Sequence, residues 1–452
     1  MFAEYTYQDW EQAEDRAALV LDAICRYKAS PAFRQALDAD AYFDGCNRGV
    51  AGKTVLRAGR ISVTDDQGRR RFRTAMQDVV GNRIGSGFLF RFVTQQNQYL
   101  LSEGVILENA VAKLALGRDF DRMLQLLGEK ALLHGVGWGF WNADHLEVLP
   151  AAYGPETGFF VLRDEMSDAP RLGIQFWRLY QDKPMRVRLF EEDGISMWTK
   201  EGETLQPWGE KRPYLLTEHR YPDGASVTEG RNWGKLPIFP LYANPGHHSE
   251  LTPAIRAKID AYDNILSDFA DNLDRANDVY WVLNNFGGTM EEVAEVLEQI
   301  NRLKAVTSLT DGMGSSSTAE PKTIEVPYAA RQAALSLLER ELYRDWMALD
   351  MDQLTGGSLT NVAIHAATAD LDLKADRYEW QVMDFVRSLL QLLHLPDGVI
   401  RFRRQTIANA SETVQDIAVM RGDIDRATAL KLNPYIQEEE VAGLLGNSPV
   451  DA

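Results

Sequence analysis

A glycine and lysine motif is the first candidate for chemistry in this sequence. GVAGKT at 49–54 resembles the end of a phosphate-binding loop, whose backbone amides and lysine hold nucleotide phosphates. Such a loop needs a glycine five residues before Gly52, where Asn47 stands, and a buried strand in front of it, which the sequence does not predict. We therefore do not expect nucleotide binding at this motif.

Other glycines and histidines form no recognisable site. Gly135, Gly137 and Gly139 lie within a predicted strand and open no helix, so they do not make a dinucleotide-binding fingerprint. His247 and His248 have no carboxylate at ligand spacing, which favours surface histidines over a metal site. The sequence contains no GxSxG elbow. We expect no catalytic residue, metal or cofactor, although a catalytic centre assembled from distant residues stays open.

Composition narrows the classes of function. The chain has 452 residues, 45% hydrophobic and 25% charged, which is typical of a folded protein of several domains. Cys25 and Cys46 are too few for a disulfide framework. No apolar run reaches the roughly 18 to 20 residues of a membrane span, and the acidic start lacks a signal peptide's features, so we expect a cytosolic protein. The net charge of −18 disfavours tight binding to nucleic acid through neutralised phosphates.

Two basic clusters and one aromatic cluster each have two interpretations. The arginines could touch DNA phosphate or an acidic partner, but solvated edges or ion pairs between subunits are favoured. The basic clusters are Arg69, Arg70, Arg71 with Arg73, and Arg401 with Arg403 and Arg404. The aromatic residues could stack on bases, but a sheet core is favoured. They are Trp138, Phe140, Trp141, Phe176, Trp177 and Tyr180.

Periodicity predicts an α+β fold in several modules. A helix over 7–27 precedes a second helix that starts at Ser30-Pro31, and a hairpin turns at 65–68. Six short β runs between 135 and 200 predict one antiparallel meander, and a proline-punctuated connector begins near Gly234.

The second half alternates long helices with shorter units. A helix over 249–277 has an apolar seam and an acidic opposite face. A unit of about 50 residues, 278–327, is too small to be stable alone and would gain stability by packing on copies of itself. Helices over 328–348 and 361–394 flank a glycine-containing break, and a strand and two short helices end the chain.

The order of these elements resembles that of the siphophage portal family. The most specific part is GKLPIFPLYANPGHHSELTPAIRAKIDAYDNILSDFADNLDRANDVYWVLNNFGG at 234–288. Upstream, YFDG at 42–45 and NRI at 82–84 are similar to the family, and SLTNVAIHAATADLDLKADRYEW and DIDRATALKLNPYIQEEE are similar downstream. The chain departs at Ile364-His365, where the family usually has Leu-Lys, and in a short C-terminus.

The resemblance implies a portal fold with an α/β wing, a helical stem, a small α/β clip and a helical C-terminal crown. The implied segments are 1–235 wing, 236–277 connector and stem helix, 278–327 clip, 328–348 stem helix, 349–360 tunnel loop, 361–395 long wing helix and 396–452 crown. The tunnel loop would be the narrowest ring around the DNA, and Gly356 and Gly357 would let it shift because glycine adopts angles that other residues resist.

The same resemblance implies three groups of functional residues. The DNA tunnel loop would use Asp350, Asp352, Gln353, Leu354, Thr355, Gly356, Gly357 and Ser358. The stem channel would use Lys258, Asp260, Asp263, Asp268 and Asp271. The clip would dock partners through Asn285, Glu291, Glu292, Glu295 and Glu298.

A portal of this family is a ring of about twelve subunits at a capsid vertex of the virion, assembled in the host cytoplasm. Its expected partners are double-stranded DNA, passing through with weak and non-specific contacts, the terminase large subunit, the head-completion or adaptor protein, and the major capsid and scaffolding proteins, with no membrane. An acidic channel suits sliding, because strong phosphate contacts would slow the DNA. The alternatives are another ring-forming virion component, a monomeric binding module, and a cytosolic enzyme with a non-local active site.

Overall fold

The computed structural model of this chain is α+β, as the sequence predicts. It describes residues 4–64, 70–220, 226–276, 280–284, 318–322, 328–351, 360–396, 398–404, 410–433, 435, 436, 441, 443 and 445.

The helices of the described residues include the long ones that the sequence predicts in the second half of the chain. They are α1 Tyr7–Gln12, α2 Arg16–Ala29, α3 Pro31–Phe43, α4 Arg48–Ala51, α5 Phe88–Leu101, α6 Ala110–Ala115, α7 Phe120–His134, α8 Pro253–Ala276, α9 Tyr328–Trp346, α10 Asn361–Leu392, α11 Ala410–Val419, a 3-10 turn Met420–Gly422, and α12 Arg426–Leu432.

The strands of the described residues form small antiparallel sheets. They are β1 Thr54–Thr64, β2 Arg70–Val80, β3 Val105–Leu107, β4 Val136–Asn142, β5 His145–Leu149, β6 Gly158–Arg163, β7 Pro170–Trp177, β8 Arg186–Glu191, β9 Gly194–Glu201, β10 Thr204–Pro207, β11 Leu215–Arg220, β12 Ser226–Arg231, β13 Ile238–Tyr242, β14 Tyr280–Asn284, β15 Thr318–Lys322 and β16 Ile400–Phe402.

The N-terminal helix predicted over 7–27 is wrong in one respect, because the chain forms α1 and α2 instead. Thr6 and Asp9 form a capping box at the start of α1, and the Asp15 carboxylate accepts from the Ala18 amide at the start of α2. Because Asp15 caps the start of a second helix, the two helices are not continuous. The predicted cap at Ser30 is confirmed, since its hydroxyl accepts from the Phe33 amide and Pro31 is the first helical residue.

The predicted β runs are confirmed as strands, but they do not form one meander. Strands β6 to β10 form a five-stranded sheet in the order β10-β9-β8-β7-β6. Strands β4 and β5 belong instead to a three-stranded sheet with β13, in which Phe140 lies opposite Ile238. The segment after Gly234 is therefore extended, as predicted, and also supplies a sheet strand.

Aromatic side chains fill the core of these two sheets. Trp138, Phe140, Trp141 and Phe176 are all 3% exposed or less, which confirms the core interpretation for them. Tyr180 is 69% exposed and lies outside the core.

The chain divides into two compact units. The first contains Met1–Arg48, Gly87–Ala257 and Glu341–Ala452, and the second contains Gly49–Ser86 and Lys258–Arg340. The first holds both aromatic sheets and α10, and the second holds the β1–β2 hairpin and most of α8 and α9.

The predicted clip is described only at its base. Strands β14 and β15 pair antiparallel, with Tyr280 opposite Lys322. Strand β15 starts at Thr318. The rest of the predicted unit, residues 278–279, 285–317 and 323–327, lies outside the described residues.

Candidate functional site

The candidate site consists of the two segments that flank 352–359 in the chain. Of the predicted tunnel-loop residues, Asp350 is described and half-buried. The others, Asp352, Gln353, Leu354, Thr355, Gly356, Gly357 and Ser358, lie outside the described residues, as do the clip residues Asn285, Glu291, Glu292, Glu295 and Glu298. We call 346–351 and 360–361, which lie in the first unit, the loop frame.

Helix α9 ends in a fixed geometry at the loop frame. Met347 has a positive φ of 62°, its amide donates to the Arg344 carbonyl, and the Ala348 amide donates to the Tyr343 carbonyl. This is a Schellman ending, which usually has glycine at the left-handed position. A methionine there carries strain of about 1 kcal/mol, so neighbouring contacts must hold it.

Gln95 of α5 binds the backbone of Leu349 through both of its polar side-chain atoms. Its Nε2 donates to the Leu349 carbonyl at 3.0 Å, and its Oε1 accepts from the Leu349 amide at 3.0 Å. Leu349 is 7% exposed and packs with Tyr99, Leu371 and Ala375. The chain is therefore fixed by backbone and side chain just before 352.

Trp346, the last residue of α9, is held from both faces. Its ring stacks on Phe92, with 5.2 Å between centroids, and the Lys374 ammonium lies 3.9 Å from its centroid. The same ammonium donates to the Trp346 carbonyl at 3.0 Å and pairs with the Glu250 carboxylate at 2.9 Å. Burial lowers the pKa of Lys374, although Glu250 opposes this change.

The start of α10 is fixed independently. Thr360 is its N-cap and accepts from the Ala363 amide at 3.2 Å. The Asn361 amide donates to the Glu412 carboxylate at 2.6 Å, and the Asn361 side chain donates to Thr413 at 3.3 Å. Both flanks of 352–359 therefore have defined positions within the first unit.

The second region of interest is the acidic helix α8 in the second unit. Three of its side chains, spaced four residues apart on one face, accept hydrogen bonds from alternate amides of the irregular segment 82–86. The bonds run from Ser86 N to Asp263 Oδ1 at 3.0 Å, from Ile84 N to Ser267 Oγ at 3.0 Å, and from Asn82 N to Asp271 Oδ1 at 2.8 Å. We call these contacts the α8 ladder.

The α8 ladder includes two of the predicted stem-channel residues, Asp263 and Asp271. Asp263 is 0% exposed and Asp271 is 3% exposed in the single chain, and their predicted role at a channel stays a prediction. Their carboxylates supply acceptors to part-buried amides of a segment that belongs to no helix or strand. Asp268 is exposed, whereas Lys258 and Asp260 are half-buried.

Lys53 of the GVAGKT motif is engaged by the same helix. Its ammonium pairs with Asp268 at 2.7 Å and donates to the Asn264 carbonyl at 3.3 Å, and its side chain is 12% exposed. A short helix, α4, covers 48–51 and so includes the first half of the motif, where a phosphate-binding loop would have an irregular loop after a strand. The lysine therefore holds the hairpin root on α8.

The remaining candidates have structural roles where they are described. Arg404 pairs with Asp372, Asp376 and Glu379 on one face of α10, which accounts for one basic cluster member by ion pairs within the chain. The side chains of Arg69, Arg70, Arg71 and Arg73 lie outside the description. His247 stacks on Tyr242, with 3.6 Å between ring centroids.

One of the two functional residues that sequence reasoning missed, Lys374, has a partial signal in the sequence. Lys374 lies one turn from Leu371 and Tyr378 on the apolar seam of α10, and a lysine at such a position needs a buried partner. Gln95 carries no comparable signal, because its partners are backbone atoms more than 250 positions away.

The described residues contain no cluster of three or more His, Cys, Asp or Glu side chains that could hold a metal ion. Within the same residues, no helix combines the length and apolarity needed to cross a membrane.

Comparisons with known proteins agree on one family. A sequence model of phage portal proteins described as SPP1 Gp6-like matches residues 67–445. The portal protein of Clostridium phage phiCD119 is 25% identical over 385 residues, which cover 80% of this chain and 83% of that protein. The portal protein of Bacillus phage SPP1 is 26% identical over 393 residues, which cover 80% of this chain and 75% of that protein.

Proposed function

Because this chain belongs to the SPP1 Gp6-like family of phage portal proteins, we propose that it forms a ring of about twelve copies that conducts double-stranded DNA at a capsid vertex. Phage portal proteins are structural components of the virion. The DNA path, the ring and the docking roles are the parts that need experimental tests.

The loop frame carries the proposal for the DNA path. Residues 352–359 would contact the DNA, while Gln95 and Lys374 hold the chain before them and Thr360 caps the helix after them. Two fixed flanks around a segment that contains Gly356 and Gly357 would confine movement to the segment itself. Asp350 and Asp352 would keep this constriction acidic.

Charge supports sliding rather than tight binding. With a net charge of −18 per chain, a ring would repel phosphate and release few counterions on contact with DNA. Lys258, Asp260, Asp263, Asp268 and Asp271 are the proposed channel groups of α8, and Asp268 is the exposed one among them.

The segment 278–327 would be the clip that docks the terminase large subunit and later the head-completion or adaptor protein. Pairing of β14 with β15 joins the two chain passages at its base, which supports a self-closed insertion. Asn285, Glu291, Glu292, Glu295 and Glu298 would offer an acidic docking face. ATP hydrolysis would belong to the terminase.

The wing, 1–235 with 361–395, would contact the major capsid and scaffolding proteins, and 396–452 would form a short crown. Aromatic cores in both sheets support a rigid wing.

Imaging of the purified full-length chain, together with its mass from light scattering, tests the proposal. We expect a ring with a central hole and a mass of about twelve subunits. A compact monomer would refute it. Rings that do not restore DNA packaging to a phage lacking its own portal would favour a different ring-forming virion component.

Deletion of 353–358 tests the DNA path within that ring. We expect normal rings and impaired packaging or retention of DNA. The assignment of 352–359 as the constriction is wrong if the deletion variant packages and retains DNA normally.

A further inference from the structure

Lys374 is a largely buried cation in the middle of α10, and the portal function alone does not explain its position. Lys374 and Glu250 are 13% and 15% exposed at the side chain, and they pair across a cavity of about 260 Å³. Other residues of its lining include Gln96, Asn244, Trp346 and Arg377. An ion pair this buried gains little net stability, because desolvation offsets much of its attraction. Its contacts therefore point to another role.

Three parts of the first unit meet at this ammonium. Glu250 lies just before α8, Trp346 is the last residue of α9, and Lys374 is in the middle of α10. Glu250 is itself oriented, since the Asn244 amide donates to it at 3.0 Å. The end of α9 is thus joined to α10 and to the segment before α8 through one side chain.

Trp346 depends on Lys374 for its position. Its indole Nε1 is buried and has no hydrogen-bond partner among the residues that the structure describes. The ring is consequently placed by stacking on Phe92 and by the ammonium on its other face. The Trp346 carbonyl is among the last of α9, a helix end where a cation is favourable.

We infer that Lys374 is a positioning residue for the proposed DNA loop: it fixes the last turn of α9, and thereby the direction in which the chain enters 352–359. The inference rests on the proposed function. Gln95 holds Leu349, and Lys374 would hold the end of α9 just before the left-handed Met347.

Three variants of the full-length chain separate positioning from stability. Lys374→Met removes the ammonium and leaves the Glu250 carboxylate without its cation. Glu250→Gln with Lys374→Met removes both charges, keeps similar volumes and leaves a side-chain acceptor for Asn244. Arg377→Met is the matched control, because Arg377 is an exposed cation one turn along the same helix at the same cavity.

Two readouts are needed for each variant. Hydrogen exchange of the Ala348 and Leu349 amides reports the loop frame, and we expect Lys374→Met to speed it at least about tenfold, as loss of a hydrogen bond to a charged group implies. DNA retention in particles reports the loop. The double variant should recover the melting temperature while keeping the fast exchange and the retention defect, and Arg377→Met should match the wild type.

The outcomes distinguish this inference from the proposed function. If the double variant restores slow exchange and DNA retention together with the melting temperature, Lys374 is merely structural and the inference is wrong. It is equally wrong if exchange rises and DNA retention stays normal. A wild-type chain that forms no ring would overturn the proposed function instead, and the exchange data would still decide whether Lys374 holds the frame.

Discussion

Replacing Asp271 by alanine tests whether the α8 ladder fixes the segment 82–86. Asp271 Oδ1 accepts from the Asn82 amide at 2.8 Å and from the Asn82 side chain at 3.0 Å. Alanine removes both bonds and leaves a partly buried backbone donor without a partner. Lys53 keeps its closer carboxylate, Asp268, so the loss falls mainly on Asn82.

The size of the effect follows from the kind of bond. A hydrogen bond to a charged group contributes about 1.5–3 kcal/mol, and an orphaned buried donor costs about 1–3 kcal/mol. Relief of a buried carboxylate offsets part of this loss, because Asp271 is 3% exposed. We therefore expect the segment to open about 2–4 kcal/mol more easily.

Hydrogen exchange of the Asn82 amide in the full-length chain measures this opening directly. The expected change corresponds to exchange roughly 30- to 900-fold faster. Asp271→Asn is the matched control, because it keeps an acceptor oxygen of the same size and should cost less than about 1.5 kcal/mol. Ser267→Ala removes the neutral rung and should cost about 1–2 kcal/mol at the Ile84 amide.

Wild-type exchange at Asn82 in Asp271→Ala would refute the ladder. If Asp271→Asn exchanged as fast as Asp271→Ala, the charge beside Lys53 and not the acceptor would be what matters.

Three further predictions concern other parts of the molecule. Burial alone would raise the pKa of Asp40, but the hydrogen bond with His134 and the charge of Lys130 outweigh it and lower that pKa. A lowered carboxyl pKa contributes stability above the unfolded pKa and loses it as pH falls, so the melting-temperature gap between wild type and Asp40→Asn should be largest above about pH 5 and shrink below about pH 4. Arg404→Ala should speed exchange in Ile400–Phe402 about tenfold, because three carboxylates lose their cation, whereas Arg401→Ala should not. Purified rings should bind duplex DNA with a Kd weaker than about 1 µM at physiological salt, and nanomolar binding in a titration would contradict sliding.

Local signals predicted the elements well, because caps and long periodic runs act within a few residues. Ser30 and Pro31 start α3 as expected, and α8, α9 and α10 lie within a few residues of their predicted bounds. The pairing of strands was harder to predict from the sequence. Strand β13 pairs with β4, about a hundred residues earlier, and nothing in either run specifies that partner over its neighbours.

The contacts of the loop frame could not be predicted from the sequence pattern, for a related reason. Gln95 contacts backbone atoms of Leu349, and any residue would offer the same atoms. The domain limits inferred from the family resemblance stay predictions.

Helix α8 shows where hydrophobic patterning misleads. Its predicted seam includes Ile265, Leu266 and Phe269, which are half-buried, and Leu273, which is 48% exposed. The face buried beyond Ile259 is polar, because it satisfies backbone amides rather than packing on side chains. A polar residue at every fourth position is read as a solvated face unless its partner is known.

The burial of acidic side chains on α8 changes the electrostatic argument for a DNA channel. Asp263 and Asp271 are committed to amides, Asp268 to Lys53, and Asp274 accepts from the Asn82 side chain at 2.9 Å. A charge paired with a cation at short range, as Asp268 is with Lys53, contributes less to the long-range potential that DNA would meet, whereas hydrogen bonds from neutral amides leave the carboxylate charge in place. The expectation of weak DNA binding therefore depends on the net charge of −18 per chain more than on Asp268. If residues 352–359 form the proposed constriction, Asp350 and Asp352 would lie nearer the DNA than Asp268, so neutralising both should change the salt dependence of DNA binding more than neutralising Asp268. The opposite ranking would place the effective channel charge on α8.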